Sequence, residues 1–283
     1  MNPMQADIGR DEGPLTVCSR LLSASIGDRL RRMEANSLIT NFMLLVAFRF
    51  PLLDVLIRMT VTFFLNVLVY FINDFIDVDI DLNSDKKDHS RARYIKDHRR
   101  TAFALIVLGS AALLVSTLLY SRSVCMGVIF ALVIIFLYTD YFKNMAYLDV
   151  IGCFIWGMSM AWPAIPDFSW EGAKLIVLIG LFTASFEIVQ CVRDYEFDKK
   201  YNLKTTPIVI GIPKAFLLLR AILVLAALYT VAVLHEYQGV ILLLPILFRT
   251  DQEPDAYWMK LRVVFGVVWL TIMARLFFGC YRG

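Results

Sequence analysis

Two stretches of the chain carry carboxylates at spacings that chemistry can use. The first reads Val69-Tyr70-Phe71-Ile72-Asn73-Asp74-Phe75-Ile76-Asp77-Val78-Asp79-Ile80-Asp81, with Asn73, Asp74, Asp77 and Asp81 at offsets of three, four and seven. On a continuing helix these four share one face. The second reads Arg193-Asp194-Tyr195-Glu196-Phe197-Asp198-Lys199-Lys200, where Asp194 and Asp198, four apart, again face the same way. Like charges at that spacing repel, and more strongly near a bilayer, so each face predicts a cationic occupant. Two such clusters, each followed by basic residues, suit Mg2+ bridging a diphosphate. The hard ion takes oxygen ligands from carboxylates and phosphates, while Lys and Arg neutralise the charge that remains.

Other readings compete. Asp79, Asp85, Asp88 and Glu196 read as solvated charges at helix ends. Asp77-Val78-Asp79-Ile80-Asp81 resembles the start of a calcium loop, but Leu82 stands where the sharp turn wants glycine and Asp88 where glutamate would close it. A cation-coupled transporter could also use such aspartates, although its sites lie near mid-membrane and these clusters lie at span ends.

The elements that position the acids are membrane helices. Of 283 residues, 59% are hydrophobic and 19% charged, and the mean hydropathy is +0.65; soluble domains carry about 45–50% and about 25%. The apolar residues fall in long blocks. At roughly 17–25 residues per crossing, about nine spans are expected, near 33–49, 52–76, 101–120, 124–140, 146–165, 173–192, 212–233, 237–249 and 261–280. The eighth is short, which predicts a tilted, kinked or re-entrant segment. A net charge of +3 implies no nucleic-acid partner. The five cysteines, Cys18, Cys125, Cys153, Cys191 and Cys280, form no CxxC pair and read as small buried hydrophobes.

Residues 1–35 form a polar leader with Arg10, Arg20, Arg29, Arg31 and Arg32, and 36–283 the transmembrane domain. The leader does not read as a cleavable signal. Leu22, Ile26, Leu30 and Met33 recur at helical spacing, which predicts a basic amphipathic helix on the membrane surface. Lys86, Lys87, Arg91, Arg93, Lys96, Arg99 and Arg100 follow the second span; Lys143, Arg193, Lys199, Lys200, Lys204, Lys214, Arg249 and Lys260 lie in later loops of that side. The other side has little beyond Arg122 and Lys174. A multi-pass protein with a cytoplasmic N-terminus and cytoplasmic aspartate-rich loops is expected.

The paired segments resemble the UbiA superfamily of intramembrane prenyltransferases, which carry NDxxDxxxD after one helix and DxxxD after another. Asn73, Asp74, Asp77 and Asp81 match the first, and Asp194 with Asp198 the second. Glu187-Ile188-Val189, Lys204-Thr205-Thr206-Pro207, and Tyr138 to Lys143 followed by Leu148-Asp149-Val150 are similar to the flanking text. The resemblance spans roughly 36–280. It implies an all-α bundle of nine helices around a lipid-facing cavity, with both motifs at its cytoplasmic mouth and an isoprenyl diphosphate held through Mg2+. Carried over by position, Asn73, Asp74, Asp77 and Asp81 serve one Mg2+ region and Asp194 with Asp198 the other. Arg91 or Arg93, Tyr138, Lys143, Gln190, Arg193, Lys199 and Lys204 are the expected substrate-binding residues. Two departures stand out: Tyr94 follows Arg93 where many relatives have proline, and Gln190-Cys191 replaces a lysine and an aspartate.

The implied reaction ionises an allylic carbon–oxygen bond, with cations on the leaving group and a water-poor interior protecting the carbocation. Tyr70, Phe71, Tyr138, Trp156, Trp162, Phe182 and Phe186 are aromatic candidates for facing that cation, against the common use of such rings in packing. The expected activity is prenyl transfer to an aromatic or lipid acceptor among membrane lipids. The alternative is a UbiA-type terpene cyclase, in which the chain's own double bonds attack the cation.

Overall fold

The computed structural model describes residues 13–31, 36–83 and 89–281, which are helices and their connections without a strand among them. In chain order these are α1 (Pro14–Arg31), α2 (Asn36–Ala47), α3 (Leu52–Ile76), α4 (Val78–Asp81), α5 (His89–Asp97), α6 (Arg99–Tyr120) and α7 (Arg122–Asp140). They continue with α8 (Leu148–Ala161), α9 (Trp170–Arg193), α10 (Tyr195–Lys200), α11 (Thr206–Ile210), α12 (Ile212–Ala232) and α13 (Pro254–Phe277), with a 3-10 run at Tyr237–Leu247 between the last two.

Each apolar block of the sequence coincides with one of these segments. Five helices, α3, α6, α7, α9 and α12, are long and apolar enough to cross a membrane. α2, α8 and Tyr237–Leu247 are apolar but shorter, and α13 has 24 residues with Lys260, Arg262 and Arg275 along it. The eighth block is short for a backbone reason. Pro245 inside it has no N–H and clashes with a continuing α-helix, so the segment winds as a 3-10 run.

The segments close a ring. α2, α3, α6, α7, α8, α9, α12, the Tyr237–Leu247 run and α13 each touch the next, and α13 returns to α2. Two cores fill it. One is centred on α3, where Leu65, Val69 and Ile72 pack with Val128, Ala131 and Ile135 of α7 and Ile106 of α6. The other is centred on α9, where Leu175, Leu178 and Ile188 pack with Leu219 and Leu223 of α12 and Leu261 and Val268 of α13. α8 and α9 approach closely because Gly180 has no side chain: a Cβ there would lie 2.8 Å from the Phe154 carbonyl oxygen. Outside the ring, Leu108, Leu119, Leu225, Leu228, Val263 and Leu270 are exposed. In water that surface would be a liability; in lipid it is matched.

α1 is helical, as its periodicity predicts, and a second apolar line on it meets the bundle. Val17 and Leu21 are buried, in the core that holds α3, α5 and α6, Leu22 is exposed, and the Arg20 guanidinium lies 4.7 Å from the Tyr94 ring of α5. Arg10, Arg32 and Met33 lie outside the described residues, as do Asp85, Lys86, Lys87 and Asp88.

Candidate active site

The acidic faces survive because the helices break without losing register. α3 ends at Ile76, Asp77 sits at the junction with φ −78° and ψ 3°, and α4 resumes at Val78. Asp77 N–H still donates to Asn73 O at 2.9 Å, and Asp81 N–H to Asp77 O at 2.8 Å. The α9–α10 junction repeats the device: Asp194 has φ −94° and ψ 7°, its N–H donates to Gln190 O at 2.9 Å, and Asp198 N–H donates to Asp194 O at 2.9 Å. Both motifs therefore place an amide, an aspartate at the break and a second aspartate one turn on. Gln190 is the positional counterpart of Asn73.

Distant segments neutralise the first face. Asp77 is 2% exposed and accepts from Lys143 Nζ at 2.5 Å and from Asn73 Nδ2 at 3.3 Å. Thr139 Oγ1 donates to Asn73 Oδ1 at 3.2 Å, orienting that amide. Asp74 pairs with Arg91 of α5, and Asp81 is buried. The sequence left Arg91 and Arg93 equivalent, and the structure separates them. Arg93 is exposed, turned about 200° from Arg91 on the same helix.

On the second face, Arg193 donates to both Asp194 oxygens, at 3.2 and 3.0 Å, and reaches Asp255 at 3.7 Å. Asp198 accepts from Thr205 Oγ1 at 3.0 Å. Burial, with Asp194's like charge adding, pushes the Asp198 carboxyl up to about 6 despite the Thr205 hydrogen bond, a state that a bound cation would relieve. Tyr201 OH donates to Asn83 O, so the loops after the two motifs meet at one end of the bundle. Gln190 is half-buried, and Lys199 and Lys204 are exposed. Asp79 and Glu196 are exposed as expected of solvated charges, and Lys96 holds the Asp79 carboxyl below its ordinary range.

Below the motifs lies a second polar group, centred on Glu187. Tyr138 OH donates to Glu187 Oε1 at 2.7 Å, and the thiols of Cys191 and Cys153 approach Glu187 Oε1 and Oε2, each at 3.2 Å. Gly152 makes room for the tyrosine, since a Cβ there would lie 2.9 Å from Tyr138 Cδ2. Asp149 accepts from Thr206 N–H at 2.6 Å and from the Thr206 hydroxyl, while Tyr147 N–H donates to Thr206 Oγ1 at 2.7 Å. Tyr147 adopts φ 69°, unusual for a large residue. The Thr206 bond holds that turn, and with it the segment bearing Lys143. Glu187 did have a sequence signal: it lies four residues before Cys191 and seven before Asp194, extending the acidic face inward.

The aromatic candidates divide. Tyr70 packs on Trp156 and Trp156 on Tyr138, each at 6.1 Å between centroids, forming a strip between α3 and Glu187. Phe182 and Phe186 stack instead with Phe265 and Trp258, Trp162 with Phe130, and Phe71 is core.

Residues 37–250 match the model of the UbiA prenyltransferase family. The chain belongs to that family. Among solved structures, a UbiA homolog from Archaeoglobus fulgidus bound to GPP and Mg2+ aligns with a TM-score of 0.65 at 18% identity, covering 91% of this chain and 98% of that one. A structure described for digeranylgeranylglyceryl phosphate synthase in membranes aligns at 0.66 and 19%, covering 92% and 95%. The apo UbiA homolog from Aeropyrum pernix K1 aligns at 0.56 and 17%, covering 83% and 98%. At these identities the likeness is one of fold. No curated protein sequence matches.

Proposed function

We propose that this UbiA-family protein ionises an isoprenyl diphosphate with Mg2+ and transfers the prenyl group to an aromatic or lipid acceptor in the membrane. The observation that carries the reading is the convergence of two amide–aspartate–aspartate faces at one end of the bundle, with Lys143 on Asp77. The solved relatives bound to GPP or DMAPP with Mg2+ support the ligand class.

The residues fit the ion. All candidate ligands are hard oxygen donors, which Mg2+ prefers. Among the described residues no three acidic, histidine or cysteine side chains form a ready-made metal cage. An ion that keeps waters and takes phosphate oxygens needs none. Asn73, Asp74, Asp77 and Asp81 would hold it on one side, and Gln190, Asp194 and Asp198 on the other. Bound there, Mg2+ supplies charge stabilisation to the departing diphosphate.

Lys143, Arg91 and Arg193 already stand among the carboxylates. Phosphate oxygens would offer these three cations stronger partners, and their move there would free the aspartates to hold the metal. The strip of Tyr70, Trp156 and Tyr138 would border the allylic carbon and exclude water. Arg193 is 42% exposed, so its contribution is screened and uniform across the reaction. Arg193→Gln is expected to raise KM for prenyl diphosphate about 3–10-fold with kcat nearly unchanged; steady-state kinetics beside wild type check this, and equal constants would remove Arg193 from the site.

The excess of Lys and Arg on the loops that meet at this end supports a cytoplasmic mouth and a cytoplasmic N-terminus. Incubating the purified protein with labelled geranyl, farnesyl and geranylgeranyl diphosphates tests the reading. Diphosphate release is expected with Mg2+ and none after chelation; full release in a metal-free preparation would overturn it. A cyclic hydrocarbon formed without acceptor would assign cyclisation in place of transfer.

A further inference from the structure

Glu187 lies seven residues before Asp194 on α9, on the same face and about 10 Å further from the mouth. It is 7% exposed, and its three donors, the Tyr138 hydroxyl and the thiols of Cys153 and Cys191, are all neutral. Asp74, Asp77 and Asp194, by contrast, each hold a Lys or Arg. An ionisable side chain inside a membrane helix is costly and marks function, and packing alone would be served as well by glutamine or leucine. A carboxylate has about four acceptor sites. Three are taken here, by donors that fix its orientation without cancelling its charge.

Its neighbours locate it relative to the chemistry. Tyr138, which bonds Glu187, packs edge-on against Trp156, and Trp156 packs on Tyr70, four residues before Asp74. The aromatic strip thus runs from beneath the first motif to Glu187. A prenyl chain whose diphosphate sits at the mouth would lay its first carbons across that strip.

We propose that Glu187 is a catalytic residue that accepts the proton released when the allylic cation is consumed, an inference resting on the function proposed above. The C1–O bond breaks and its electron pair leaves with the diphosphate. A π pair of an electron-rich aromatic acceptor, or an oxygen lone pair of a hydroxyl-bearing lipid, forms the new bond to C1. The proton on that ring carbon or oxygen passes to the free acceptor site of Glu187, and its bonding pair stays with the product. Glu187 returns the proton to water at the mouth when product leaves. If the cation is consumed by cyclisation, the same carboxylate removes the proton beside the final cationic carbon and leaves an alkene.

The test uses the full chain in lipid nanodiscs with Mg2+, tritiated geranyl diphosphate and a total membrane lipid extract as acceptor source, reading released diphosphate, geraniol and prenylated or cyclised product separately. For Glu187→Gln, which keeps shape and an acceptor for Tyr138, we expect KM within about two-fold of wild type and product formation lower by about 10²-fold or more. Diphosphate release should fall less, with geraniol from water capture making up the difference. Glu187→Asp should recover more product than Glu187→Gln, and Cys125→Ala, which removes a buried thiol bonded to the Leu114 carbonyl away from the site, should leave the ratio of product to geraniol as in wild type. An unchanged ratio in Glu187→Gln, or the same loss in Glu187→Gln and Cys125→Ala, would assign Glu187 a structural role and overturn the proposal. Failure of the wild type to release any diphosphate would instead overturn the functional reading, and this inference with it.

Discussion

Asp77→Asn is expected to lower prenyl diphosphate turnover by at least about 10²-fold, the scale seen when one charge-stabilising group is removed from a preorganised site. Asp77 stands at the α3–α4 break, 2% exposed, where it receives both Lys143 and Asn73. The asparagine keeps the volume but not the charge, so the proposed metal–diphosphate site would lose a ligand while Lys143 loses its partner. Lys143 is 26% exposed, which limits the penalty for its stranded charge to about 1–3 kcal/mol. The double variant Asp77→Asn/Lys143→Met should therefore recover stability without recovering turnover. Product assays beside thermal unfolding separate the two effects. Turnover near that of wild type in the single variant would remove Asp77 from the site.

Arg58→Met is expected to give the largest loss of stability, about 2–4 kcal/mol, or on the order of 10 °C in Tm. Arg58 is 5% exposed in the second turn of α3, about 24 Å along that helix from Asp74. Its Nη1 donates to the carbonyls of Pro163 and Ile165 at 3.0 and 2.9 Å, Nη2 to Asp167 at 2.8 Å, and Nε to Tyr120 OH at 3.2 Å. The Phe50 ring lies 4.5 Å from its guanidinium carbon. One side chain thus ties the α8–α9 connection to α3 at the end of the bundle opposite the acids. Methionine would leave two buried carbonyls without a donor. Lysine should rescue less than half of the loss, because a single ammonium cannot reproduce the planar fork. Thermal unfolding in nanodiscs checks the ordering, and turnover at low temperature should be retained. A Tm within about 2 °C of wild type would show that water replaces the clamp.

Much of the architecture is legible without coordinates because it is local. Apolar blocks of membrane length mark the segments of the ring, and the eighth, a 3-10 run among the described residues, contains Pro245. Helical periodicity places Asn73, Asp74, Asp77 and Asp81 together, and Asp194 with Asp198. The breaks at Asp77 and Asp194 go unannounced, yet the backbone bonds across them keep the register that the periodicity assumed. α1 shows the limit of such reasoning. Its apolar residues predict a helix, but that Val17 and Leu21 pack against the bundle depends on α3, α5 and α6.

The sequence by itself determined the membrane class, the two carboxylate faces and, through the residues that resemble the UbiA motifs, the family. Tertiary structure alone decided which cations meet the first face. Arg91 and Arg93 are two residues apart and chemically identical, and only the packing of α5 against α3 turns Arg91 toward Asp74. Lys143 reaches Asp77 across 66 residues of chain, and Glu187 gathers Tyr138, Cys153 and Cys191 from α7, α8 and its own helix. The physical reason is that a helix's period specifies which residues share a face, whereas the direction of that face depends on rotations set by every neighbour in the ring.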